Sequence, residues 1–289
     1  MNHVTPTPEA IESVRRRDPE QPVEMINLLK FADRADPALG LSDLSGRACY
    51  FDHYLAGASG VSSALGTGAS VVYANDVRSC FLATVGEDWD YMLVVRYPSR
   101  RAFLGLVTSD EYAEVAGFRT GSLVNSRLIE CVGTEPDGYP RSLHAPKPID
   151  PVFEGPGLFR DDRVNAIFDR DQAQPTDMLN LIRLAEVTRP GGGVDGLSGA
   201  EGYEIYRTGV ATDYAERAGV EITWRAFPVA TLIGPEEECW DQALIYHYAS
   251  RAQMMSMFRD HDDYQVNHLP RRNASIVDSR LIETTVAEG

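Results

Sequence analysis

Apolar positions along the chain gather into short β-like runs separated by helical stretches. The first clear run, EMINLLKF at residues 24–31, carries a polar side chain, Asn27, at its centre. A second run, DMLNLIRL at residues 177–184, repeats the pattern around Asn180. Sliding the chain against itself extends this match over most of its length. Asn27 aligns with Asn180, Tyr54 with Tyr206, Trp89 with Trp240 and Ser126 with Ser279, while the offset drifts only between 151 and 153. NSRLIEC at 125–131 returns as DSRLIET at 278–284. The lead-ins RRDPEQPVEMINLL and DRDQAQPTDMLNLI also match, so an N-terminal helix is expected in each copy. Solenoid units run to about 20–50 residues, so a period above 100 means duplicated domains.

Within each copy the periodicity predicts the same succession of elements. VEMINLLKF is a strand, and a Pro- and Gly-containing loop ending in LSG follows it. RACYFDHYLAGASGVSSAL and AEGYEIYRTGVATDYAERA are helices on which tyrosines share one face. ASVVYANDV and VEITWRAFPVATLIG are β-branched strands, joined through acidic turns to YMLVVRYPS and QALIYHYAS as hairpin partners. A Ser-capped helix and the SRLIE strand close each copy. The order strand, helix, strand, strand, helix, strand is that of a ferredoxin-like βαββαβ unit. Its antiparallel sheet carries helices on one face only, and two copies in one chain can cover each other's open face. The expected fold is therefore α+β, with two tandem ferredoxin-like units at 1–131 and 161–289. A Pro/Gly-rich linker at 132–160 joins them.

The MINLLKF strand, the tyrosine of the first long helix, the VRYPSRRAF segment and the SRLIE strand resemble the dimeric α/β-barrel superfamily, and within it domain-of-unknown-function family 1330. The resemblance implies an intrachain pseudo-dimeric α/β barrel. Proteins similar in this way include cofactor-free isomerases, polyketide cyclases and oxygenases, and also haem enzymes such as chlorite dismutases and dye-decolourising peroxidases. Function lives in the site, so the fold does not choose among them.

Composition narrows the setting. The 289 residues are 43% hydrophobic, enough for one large or two ordinary cores. The formal charge of −16 disfavours nucleic acid and anionic membranes as partners and leaves a small-molecule ligand. The chain shows no apolar run of the roughly 18–20 residues that span a bilayer and no signal-peptide core, so a cytoplasmic protein is expected. Cys49, Cys80, Cys131 and Cys239 are widely spaced, which favours reduced thiols over a disulfide frame or a zinc site. No Walker A, G-x-G-x-x-G, G-x-S-x-G or H-E-x-x-H motif occurs.

The candidate chemistry comes in aligned pairs. Asn27 and Asn180 occupy positions where alternation calls for an apolar side chain, so each amide needs a fixed partner. It is either a structural clamp or a group that orients a substrate carbonyl. Tyr54 and Tyr206 can serve as donors into the same pocket or as ordinary core residues. Tyr73 and Trp224 offer an aromatic wall, whereas Trp89 and Trp240 read as structural. Arg96 and His247 mark the most informative difference between copies: an arginine can hold a carboxylate or enolate, and a histidine can move a proton near neutral pH. Arg119 and Arg272 either close the pocket mouth or pair with acidic neighbours. His268 falls loosely where haem members of the superfamily carry their proximal ligand.

These residues set the expectation of a cofactor-independent isomerase or cyclase acting on a small aromatic or polyketide-like carbonyl compound. His247 would be the general base, Asn180 and Tyr206 would stabilise an enolate, and Trp224 and Arg272 would hold the substrate. Asn27, Tyr54, Tyr73 and Arg96 would form a second pocket. The alternatives are a non-catalytic small-molecule-binding protein and a cofactor-free oxygenase. No cofactor or metal is expected, and a further homodimer stays open.

Overall fold

The structure is a computed structural model that describes residues 3–84, 87–134, 170–259 and 262–285. The elements are helix α1 (Pro8–Arg15), strand β1 (Val23–Phe31), helix α2 (Gly46–Cys49), a π-turn (Tyr50–Leu55), helix α3 (Ala56–Ala64), strands β2 (Ser70–Leu82) and β3 (Tyr91–Tyr97), helices α4 (Arg100–Val107) and α5 (Asp110–Ser122), and strand β4 (Leu123–Val132). They continue with β5 (Thr176–Leu184), α6 (Gly199–Ala218), β6 (Val220–Ile233), β7 (Gln242–Tyr248), α7 (Arg251–Phe258), a π-turn (Tyr264–His268), α8 (Leu269–Ser275) and β8 (Ile276–Thr284). This is an α+β fold with an eight-stranded antiparallel sheet. Its hydrogen-bonded order is β1-β3-β2-β8-β5-β7-β6-β4. The second copy's expected N-terminal helix and most of the expected linker lie outside the described residues.

Two compact units divide the chain. The first is Met1–Asp76, Trp89–Gly138 and Pro228–Glu238; the second is Val77–Asp88, Tyr139–Phe227 and Cys239–Gly289. In the first unit β1 lies between β3 and β4, with Asn27 opposite Leu93 and Leu128. In the second, β5 lies between β7 and β8, with Asn180 opposite Leu244 and Leu281. Both central strands are buried along most of their length on both faces. That double burial is why their sequences are near-continuous apolar runs rather than alternating ones.

The repeated short motifs have structural explanations. In each LSG loop the serine caps a helix: Ala48 N–H donates to Ser45 Oγ at 3.1 Å, and Glu201 N–H donates to Ser198 Oγ at 3.2 Å. The glycine after it admits no side chain, because a Cβ on Gly46 or Gly199 would collide with the backbone of Ala32 or Ala185. In SRLIE the glutamate is fully buried and doubly bonded. Glu130 accepts from Arg17 Nη1 and Arg100 Nε, each at 2.5 Å, and Glu283 accepts from Arg170 Nη1 at 2.5 Å and Arg251 Nε at 2.8 Å. A buried carboxylate tolerates desolvation only with partners of this quality. The arginine of each lead-in and the arginine after each helix-capping serine thus recur because they neutralise that one side chain.

The helix expected across residues 47–65 is not uniform. Its middle, Tyr50–Leu55, is a π-turn, whereas α6 runs unbroken over the matching segment. π-turns are rare and concentrate at functional sites.

Candidate functional site

A cavity of about 440 Å³ lies within the first unit, between the face of β1 and β3 and the helical segment that includes the π-turn. Met25, Leu93, Val95, Phe103 and Leu106 form apolar walls, while Asn27, Tyr50, Tyr54, Tyr97, Tyr112 and Arg119 bring polar groups to the lining. Strand geometry accounts for the selection. Side chains two apart share a face, so Met25 and Asn27 on β1 face the cavity together with Leu93, Val95 and Tyr97 on β3.

The polar groups are held in place. Asn27 Nδ2 donates to the carbonyl of Met25 at 3.2 Å, which is the fixed partner that a buried amide requires. The hydroxyls of Tyr54 and Tyr112 are 2.9 Å apart. Burial, with the neighbouring Tyr54 phenol as second cause, pushes the phenols of Tyr50, Tyr97 and Tyr112 well above the ordinary tyrosine range. Those three groups stay neutral at ordinary pH. Arg119, 7% exposed, donates from Nη1 to the carbonyl of Val4 and from Nη2 to Ser126 Oγ at 3.3 Å.

The second unit repeats this constellation within a buried hydrophobic cluster. Asn180 Nδ2 donates to Met178 O at 3.3 Å, the Tyr206 and Tyr264 hydroxyls are 3.2 Å apart, and Arg272 Nη2 donates to Ser279 Oγ at 3.1 Å. Met178, Tyr206, Tyr248, Met254, Met257 and Tyr264 are the counterparts of Met25, Tyr54, Tyr97, Phe103, Leu106 and Tyr112, and they belong to one buried hydrophobic cluster.

The structure therefore sorts the residues singled out from the sequence by sheet face. Asn27 and Tyr54 meet at the cavity, and Asn180 and Tyr206 share the equivalent side of the second unit. Arg96 and His247 stand on the opposite face of β3 and β7, because they are paired in register with Glu24 and Asp177, three residues away from the asparagines. Arg96 Nε donates to Glu24 Oε1 at 2.7 Å, and His247 Nδ1 lies 2.8 Å from Asp177 Oδ1. Tyr73 pairs with Val94 and Trp224 with Ile245, on the Arg96 and His247 side respectively. His247 is thus not brought together with Asn180 and Tyr206, nor Arg96 and Tyr73 with Asn27 and Tyr54. Of the lining tyrosines, sequence reasoning passed over Tyr97 and, beside Tyr54, Tyr112. The signal for Tyr112 was available, because it follows Tyr54 by 58 residues and Tyr264 follows Tyr206 by the same interval.

His268 is 1% exposed and wedged between Tyr214, Tyr264 and Gly209. A Cβ at Gly209 would press on the imidazole at Cε1 and Nδ1, and Nε2 sits 3.0 Å from Asp213 Oδ2 and 3.8 Å from Asp263 Oδ1. Neither ring nitrogen faces the open, flat space that a porphyrin needs, so the residues around His268 do not fit haem ligation. Asp213, Asp263 and His268 are the described side chains grouped closely enough to share a small cation. All four cysteines are free, and among the described residues no helix is long and apolar enough to cross a membrane.

No known family profile matches the chain, and no characterised protein matches it by sequence. Solved structures do match. A protein of unknown function from Rhodopseudomonas palustris is 28% identical over 47% of this chain and all of its own length, with a TM-score of 0.41. A chlorite dismutase variant from Candidatus Nitrospira defluvii is 11% identical over 96% of this chain and 95% of its own, with a TM-score of 0.42. A haem-binding protein from Thermus thermophilus is 12% identical over 93% and 95%, with a TM-score of 0.39.

Proposed function

We propose that the chain binds a small, largely apolar organic molecule in the cavity of the first unit, with the neutral phenols and the amide of Asn27 as its hydrogen-bonding partners. The observation that carries this reading is the lining itself. Its volume of about 440 Å³ falls in the range of about 300–1,000 Å³ typical of ligand pockets. Among the described residues it holds donors and apolar walls but no carboxylate, imidazole, thiol or amine. A site without a base is suited to holding a ligand and poorly suited to taking a proton from it.

The isomerase or cyclase reading needs His247 within reach of the substrate that Asn180 and Tyr206 hold, and strand alternation sets His247 on the other face of β7. Binding without proton transfer, the alternative raised by the sequence, is therefore the reading we put first, and Tyr73, Arg96, Trp224 and His247 stand outside it. For the architecture we propose two tandem ferredoxin-like units, one per sequence copy, in an intrachain pseudo-dimeric α/β barrel. Support comes from the mirrored order of elements and from the mirrored bonds of Glu130 and Glu283. The free thiols suit a reducing cytoplasm.

The test is native mass spectrometry of the purified chain, with an Ala58→Leu variant that adds bulk to the cavity lining. A co-purifying organic molecule retained by the parent and lost in Ala58→Leu supports the reading. A ligand retained equally by both variants, or base-catalysed turnover that depends on His247, overturns it.

A further inference from the structure

Arg119 is a buried cation that faces an open space, and its bonds inside the protein are to neutral groups. It belongs to the last turn of α5 and is 7% exposed. Of the five N–H donors of a guanidinium, two are used, one on the carbonyl of Val4 and one on the hydroxyl of Ser126. Among the described residues, four of the other five buried arginines contrast with it directly, while Arg272, its counterpart in the second unit, likewise donates to a hydroxyl, that of Ser279. Arg100 lies against Glu130, Arg127 against Glu238, Arg251 against Glu283 and Arg280 against Glu87, each an ion pair with both side chains under 10% exposed. Among the described residues, no carboxylate oxygen is placed on Arg119. A charge removed from water calls for a counter-charge or strong dipoles. The C-terminal end of α5 supplies part of this through its backbone carbonyls.

We propose that the counter-ion is the ligand, and that the cavity takes a small carboxylate with an apolar body whose anionic head lies on Arg119. This rests on the cavity being the binding site and names the class of molecule it accepts. The surroundings suit such a ligand. The same lining that carries Arg119 carries Tyr50, Tyr54 and Tyr112, whose hydroxyls can donate to a carboxylate oxygen, and Met25, Leu93 and Phe103 give it apolar surface. A planar guanidinium suits a carboxylate better than an ammonium does, because two parallel N–H groups can meet the two oxygens. The head would be selected by this local charge against the chain's overall charge of −16. A neutral molecule of the same shape would leave the guanidinium as unmatched as before.

The experiment uses matched pairs of probes, namely benzoate, phenylacetate and 3-phenylpropionate, each with its neutral primary amide. Binding to the full chain is followed by saturation-transfer NMR and titration calorimetry. The parent should bind at least one carboxylate about tenfold or more tightly than its amide. Arg119→Met should lose that preference while still binding the amide, Arg119→Lys should restore part of it, and Ala58→Leu should bind neither. Thermal melts report whether each variant is folded. If Arg119→Met does not fold, Arg119→Lys and the parent's acid-to-amide ratio decide the question. If the parent binds amides as well as acids, the anionic class is wrong while the cavity remains a binding site. If it binds no probe of either kind, both readings fail together.

Discussion

The guanidinium of Arg127 on β4 meets the carboxylate of Glu238 at 2.6 Å, with both side chains 5% exposed. The pair rests on the ring of Trp89, which lies 5.0 Å from the guanidinium carbon. Arg280 repeats it with Glu87 over Trp240, at 4.9 Å. In each case the SRLIE arginine takes its acid from the turn that belongs to the other sequence copy. The tryptophan two residues after each such glutamate lies under the arginine that pairs with the other turn's glutamate.

This arrangement makes the pair a strongly coupled unit. Arg127→Leu or Glu238→Leu alone removes one member of this buried ion pair and should each cost about 3–5 kcal/mol of unfolding free energy. The double variant Arg127→Leu/Glu238→Leu should lose much less than the sum, because both charges leave the interior together. Urea unfolding of the four proteins measures the coupling, and simple additivity would show that the two charges are screened from each other.

The two tyrosine pairs should differ in what they do for stability. Tyr206→Phe removes a hydroxyl from the packed cluster and leaves Tyr264, 3% exposed, without it, at a cost of about 1–2 kcal/mol. Tyr54→Phe removes the equivalent hydroxyl beside a cavity, where Tyr112 can turn to water, and should cost less than about 0.5 kcal/mol while weakening ligand binding. Equal thermal shifts for the two variants would mean that the first pair is also part of a closed core.

Much of this fold was legible because burial on both faces writes a strand as a continuous apolar run, and EMINLLKF and DMLNLIRL are such runs. Recurrence of SRLIE, of the lead-in arginines and of LSG had a physical origin that the sequence displayed without explaining. These positions neutralise a buried glutamate, cap a helix or admit a backbone contact, so substitution at any of them is costly. What stayed hidden depended on register. Arg96 and Asn27 both lie in apolar strands, and only the pairing of Glu24 with Arg96 shows that they look in opposite directions. The π-turn at Tyr50–Leu55 was equally invisible, because a single wider turn leaves the apolar spacing almost unchanged. Nor does residue type separate Phe103 and Leu106, which line the cavity, from Met254 and Met257 of the buried cluster.

Asp241 gives a pH dependence with a definite sign. Burial raises its carboxyl to about 6, although the Leu184 N–H at 2.6 Å and the charge of Arg183 both favour the ionised form. In the unfolded chain the same group titrates near 3.8. Between those values the unfolded state releases a proton that the folded state keeps. Folding stability therefore falls as pH rises through that window and levels off above about 6. Asp241→Asn keeps an acceptor for Leu184 and does not titrate, so its stability relative to the parent should rise from pH 4 to pH 6.5. A difference that stays constant with pH would mean that Asp241 ionises normally.

The phenols provide the sharpest check on the reading of the cavity. Burial raises Tyr50, Tyr97 and Tyr112 in the first unit and Tyr203, Tyr246, Tyr248 and Tyr264 in the second, all above the ordinary value of 10. The unfolded chain ionises these groups near pH 10 while the folded chain holds their protons. Stability should thus be unaffected below that pH and be lost above it, by about 1.4 kcal/mol per pH unit for each phenol. Absorbance of tyrosinate near 295 nm, followed together with circular dichroism, should show a small early step from the exposed tyrosines. A larger second step should coincide with alkaline unfolding. Selective Tyr→Phe changes at Tyr50 and Tyr112 should subtract from the second step alone. If either instead subtracts from an early step in the folded protein, the cavity can supply a phenolate at accessible pH. A base would then stand within reach of the ligand, and the case for binding without proton transfer would fall.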